Sequence, residues 1–139
     1  MLFIECQSAE VAICFISAIA AIAAVIVAYR SSKKQMQISL YAEFTRRYQE
    51  IMLHIRQNGD DKEYYQTLYI DLCSEEFFMH NEGFLPEKVW DIWLEGMKHE
   101  VKDTYIGLWQ RDKNNYNPDF QRFFKEIVSN NDKQIQSNN

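Results

Sequence analysis

The chain has 139 residues, 47% hydrophobic and 14% aromatic, with a formal net charge of −5. That length supports one domain and little else. Three of the 15 basic and two of the 20 acidic residues precede position 35, leaving 12 bases against 18 acids in residues 35–139, a balance that disfavours direct nucleic-acid binding because phosphates are held chiefly by Lys and Arg.

A short N-terminal segment, residues 1–10, precedes a 19-residue uncharged run at 11–29 (VAICFISAIAAIAAVIVAY). A helix of this length spans roughly 30 Å, about one hydrocarbon core. A cleaved signal peptide fits poorly. Glu5 and Glu10 stand where such a peptide carries Lys or Arg, and the run exceeds an apolar region of ~7–15 residues. The run therefore reads as a retained transmembrane helix. Arg30, Lys33 and Lys34 follow it and no base precedes it. The positive-inside rule then predicts an inner-membrane protein with its N-terminus outside and residues 30–139 in the cytoplasm. Cys6, Cys14 and Cys73 fall outside, within and inside, so no disulfide is expected.

Ser17, Ala20, Ala21, Ala24 and Ala28 share one face of the predicted span. Small residues at this spacing let helix backbones approach in lipid, which predicts a homo-oligomer in the bilayer. In such an assembly Glu10 and Arg30 would form charged rings at the two mouths of a pore. Ordinary interfacial residues are the plainer account of either one.

No Gly or Pro occurs between residues 11 and 57, so the same helix is predicted to continue into the cytoplasm. There Tyr41, Phe44, Tyr48, Ile51 and Ile55 recur at spacings of three and four. This stripe is expected to serve protomer association, with part of it covering the chain's own core. The turn Asn58-Gly59-Asp60-Asp61 ends the helix. A second helix is predicted over 61–80, with Tyr65, Leu68, Leu72 and Cys73 inward, and Gly83 is placed to stop it. Pro86 opens a third helix carrying Val89, Trp90, Trp93, Leu94, Met97 and Val101. A short helical segment is expected at 105–109. Asn117-Pro118-Asp119 starts a last helix through Val128, carrying Phe120, Phe123, Phe124 and Ile127. Residues 129–139 are polar and expected to be disordered. No alternation supports a strand. The predicted fold is all-α, with one long N-terminal helix spanning the membrane and continuing into a cytoplasmic helical bundle over 30–128.

The chemistry-bearing residues are few. Glu50–His54, Glu76–His80 and Glu95–His99 are i, i+4 pairs, read as surface support on helices. The di-iron bundle motif uses Glu-x-x-His, so neither a metal nor a cofactor is expected. Trp90, Trp93 and Trp109 read as core. Phosphate loops and nucleophile elbows are absent from the sequence. Residues 46–54 read RRYQEIMLH, in which six residues separate Arg47 from His54. That is the R-x4–6-H spacing of HEPN-like ribonucleases, in which His serves as general acid or base and Arg stabilises phosphorane charge. Six arginines and three histidines meet this spacing by chance often enough that the motif alone assigns no activity.

Residues 69–76 (YIDLCSEE) and 83–93 (GFLPEKVWDIW) resemble a family of small bacterial proteins with one N-terminal span and a helical cytoplasmic part. That resemblance brings no activity. The span at 11–29, the helical body and the divergent motif at Arg47 and His54 together resemble the membrane accessory proteins of type VI-B CRISPR systems. This second resemblance implies an oligomeric membrane pore that enhances antiviral defence, functionally linked to an RNA-guided RNA-targeting effector. The acidic body departs from a nuclease, which fits a motif that has lost catalysis and become structural, with Arg47 and His54 supporting the interface between protomers. Two alternatives stand beside it: a membrane-tethered HEPN-like ribonuclease using Arg47 and His54, and a non-catalytic scaffold binding a cytoplasmic partner through the face around Trp90 to Met97.

Overall fold

A computed structural model gives the fold. It describes the backbone of residues 2–57, 60–101 and 103–137, and side chains at 13–57, 60–101 and 105–129. The element order is α1 (Leu2–Arg56), α2 (Lys62–Asn81), α3 (Glu87–Glu100), α4 (Asp103–Asp112), a single 3-10 turn (Lys113–Asn115) and α5 (Pro118–Ser137). The protein is all-α, with no strand among the described residues. By its contacts the chain forms two units, Met1–Ser39 and Leu40–Asn139.

In the first unit, helix α1 meets the length and apolar composition needed to cross a membrane, and none of its apolar window is buried. Ile19, Ile22 and Val25 are each more than 60% exposed. Helix α1 starts at Leu2 rather than Val11, so the backbone of 2–10 is helical where a short separate segment was expected. The side chains of Cys6 and Glu10 lie outside the described residues.

The second unit has a continuous core built from the 40–56 stretch of α1 and from α2 to α5. Its stops and starts follow local chemistry. Gly83 adopts φ +71°, and its amide donates to the His80 carbonyl while Phe84 N–H donates to Met79. This is the hydrogen-bond pattern of a Schellman cap, whose left-handed position favours a residue without Cβ. Pro86 sits in extended backbone just before α3, and its carbonyl accepts from Val89 and Trp90. Asn117 caps α5 by accepting from Asp119 N–H at 2.8 Å, satisfying one of the donors a helix start leaves open.

Helix α5 continues to Ser137, nine residues beyond the expected end. No Gly or Pro follows Pro118, so nothing in the sequence stops it. The expected disordered tail is thus helical in backbone to Ser137, and residues 138–139 lie outside the described set. The core is strongly aromatic. Phe120 and Phe124 are buried against Trp109, and Phe77 stacks on Phe123 at 4.6 Å. Offset and edge-on rings of this kind favour each other beyond the area they bury.

Candidate functional site

Arg47 and His54 both reach across to α2, and they reach different places. Arg47 grips Glu75 with two nearly parallel hydrogen bonds, Nη1 to Oε2 at 2.5 Å and Nη2 to Oε1 at 3.0 Å. Such a fork is a charge-assisted pair of defined geometry. His54 lies flat on Tyr65, ring centroids 4.2 Å apart and planes 5° from parallel. Tyr65 and Glu75 are ten positions apart on α2, roughly 15 Å along the helix. Within one chain the two motif residues therefore fasten α1 to α2 at two separate places. Arg46, next in sequence, faces outward and pairs with Glu43 and Glu50.

The i, i+4 acid–histidine pairs do not form. Glu50 is taken by Arg46 and Glu95 by Lys98. His80 stacks on Trp90 at 4.4 Å, and its Nδ1 lies 3.5 Å from a Glu87 oxygen without a hydrogen bond. His99 is nearest Glu100, at 3.7 Å. A rotamer that satisfies a ring stack or a nearer base wins over weak surface pairing. Among the described residues, no group of three His, Cys, Asp or Glu is placed to hold a metal.

Of the stripe expected to join protomers, Phe44 and Ile51 are buried in the domain's own core. Tyr48 tilts against Tyr69, and Tyr41 stacks on Trp93 at 5.9 Å. Ser17, Ala20, Ala21, Ala24 and Ala28 are all exposed, as are Arg30, Lys33 and Lys34. Cys14 and Cys73 are free thiols.

The feature with the most distinctive chemistry is one the sequence reading passed over. A cavity of about 250 Å³ lies between the 40–56 stretch of α1, α2 and α3, walled by rings including Tyr41, Phe44, Tyr48, Tyr69 and Trp93. Trp90 and Trp109 are core as expected, whereas Trp93 forms part of this wall. Glu76 opens into the cavity and is only 6% exposed. Among the described residues no donor hydrogen-bonds to it. Burial pushes its carboxyl up to about 8, against the opposing pull of Arg47 and with a further push from Glu75. A carboxylate short of water and of hydrogen bonds keeps its proton. Burial likewise raises the neighbouring Tyr69 and Tyr105 hydroxyls and the Cys73 thiol, so these stay neutral at ordinary pH. The signal was present in the sequence. Position 76 continues the 69, 72, 73 stripe of α2, so an acid there had to be buried.

No protein-family model, curated protein or solved structure matches the chain.

Proposed function

We propose that this chain is a membrane-anchored, self-associating protein of bacterial antiviral defence. In this reading it forms or gates a pore as the accessory of an RNA-targeting effector. The observation that carries the membrane part is the wholly exposed apolar stretch of α1. Apolar surface of that extent is strongly unfavourable in water and is covered by lipid or by other helices. The face of Ser17, Ala20, Ala21, Ala24 and Ala28 supports close approach of copies within the bilayer. The defence role comes from the resemblance to type VI-B accessory proteins. The ribonuclease alternative loses support because Arg47 and His54 hold separate partners on α2. Their role in this proposal is to hold α1 against α2 within the domain.

The test uses the full chain purified in detergent and reconstituted into dye-loaded liposomes. A native mass corresponding to several copies, together with dye release, is the expected result. Replacing Ala20 and Ala24 by Leu should lower both. A monomeric mass with sealed liposomes overturns the proposal.

A further inference from the structure

We infer that the cavity at Glu76 is a binding site for a small organic ammonium ion, held by the Glu76 carboxylate against the rings of Tyr41, Tyr48 and Trp93. This does not rest on the membrane or defence reading.

Three observations point the same way. First, Glu76 is a buried acid facing an open space, and no donor among the described residues hydrogen-bonds to it. The nearest cation, Arg47, is committed bidentately to Glu75. A buried carboxyl without a partner is unfavourable unless something else satisfies it. Second, the walls present π systems. Tyr41 and Trp93 are stacked 9° from parallel, and Phe44 meets Trp93 edge-on at 5.5 Å. Ring faces attract cations, and quaternary ammonium groups in particular are recognised by such aromatic surrounds. Third, Gly96 stands in the middle of α3 on the cavity wall, and a Cβ there would meet nothing within 4 Å. Glycine weakens a helix interior, and neighbouring atoms do not demand it at this position.

The same features disfavour other ligands. A hard metal ion seeks several oxygens in a defined geometry, and Glu76 is the one acid in the wall. An anion would meet a second negative group.

The site should be coupled to pH. Glu76 gives up its proton near 8 in the free protein, and a bound cation favours the ionised form. Around it, the hydrogen bond to Glu75 on α2 holds Arg47 on α1 protonated. The Tyr48, Tyr69, Tyr105 and Cys73 groups are raised by burial and remain neutral, and Glu100 on α3 adds to the upward push on Tyr48.

The test is titration of the full chain in maltoside detergent with choline, tetramethylammonium and butylammonium, followed by calorimetry and by tryptophan fluorescence. At least one should bind saturably near about pH 9, with affinity falling about tenfold per pH unit below 8. Dimethylbutanol, the uncharged isostere of choline, should bind at least about tenfold more weakly. Glu76→Gln should abolish binding. Gly96→Leu fills the wall without touching the carboxyl and should also abolish it while leaving the melting curve in place. Tighter binding of glycerophosphocholine than of choline assigns the cation to a lipid headgroup, and the reverse order assigns it to a free amine. No saturable binding of any of the three cations overturns the inference. So does equal binding of the isostere, or undiminished binding by Glu76→Gln or by Gly96→Leu.

Discussion

Residues 13–29 and 40–56 belong to the same helix, are both rich in apolar side chains, and dispose of them in opposite ways. In the first stretch Ile19, Ile22 and Val25 are exposed, and small residues separate them on every turn. In the second, Phe44, Ile51 and Met52 are buried while Glu43, Arg46 and Glu50 pair on the outer face. The difference is one of pattern. A helix apolar all round has no face to offer water and needs lipid or other helices, whereas a one-sided stripe needs only α2 to α5. The second stretch spends its polar residues on its own neighbours, including the two that resembled a catalytic motif.

The comparison can be broken most severely from the core side. Phe124 is fully buried between Trp109 and Phe120, and Phe124→Ala should cost roughly 3–5 kcal/mol. Denaturant unfolding in detergent should show that loss, while membrane sedimentation of whatever folds should stay unchanged.

Glu76 supplies the next effect. Its carboxyl ionises at about 8 in the fold against an ordinary value of 4.5. The unfolded chain therefore releases its proton first as pH rises. The contribution to stability is fully present below about 4.5, declines as pH climbs, and levels off above about 8. The slope is at most about 1.4 kcal/mol per pH unit. Melting temperatures taken across this window should fall for the native chain and stay flatter for Glu76→Gln.

From the other side, Ile22→Asp places a charge in the exposed apolar stretch and should weaken insertion by about 3 kcal/mol. Alkaline extraction of membranes should release this variant, and circular dichroism should find its remaining helices intact.

The smallest effect sharpens the reading of the motif. Arg47→Ala removes a partly exposed pair with Glu75 and should destabilise by at most about 1 kcal/mol. His54→Ala, which loses the Tyr65 stack, should cost about as much. Modest and similar shifts in melting, with no change in any RNA-cleaving background, are the outcome expected of two fastening residues. Loss of a real cleavage activity on His54→Ala would restore the catalytic reading.

Much of the helix layout was legible because helix ends are local events. The break after Arg56, the Gly83 stop and the Asn117-Pro118-Asp119 start each depend on residues within one turn. Some expectations failed where two local pairings competed for one acid. Glu50 and Glu95 each had a histidine four residues on, and each took a basic side chain three or four residues away. On α2, Tyr65 and Leu68 were expected inward and are half-buried, while Tyr69, Ile70 and Glu76 lie deeper. Leu72 and Cys73 are fully buried as expected, and the inward face is wider than the expected stripe.

By itself the sequence determined the all-α class, the long uncharged run and the positions of most breaks, since these rest on side-chain periodicity, transfer to lipid and backbone chemistry within one element. The tertiary structure decided that Arg47 and His54 take separate partners on α2. It also decided that three helices leave a ring-lined space around Glu76. Those outcomes depend on pairings between residues far apart in the chain, and spacing within one helix carries no record of its partners across the core.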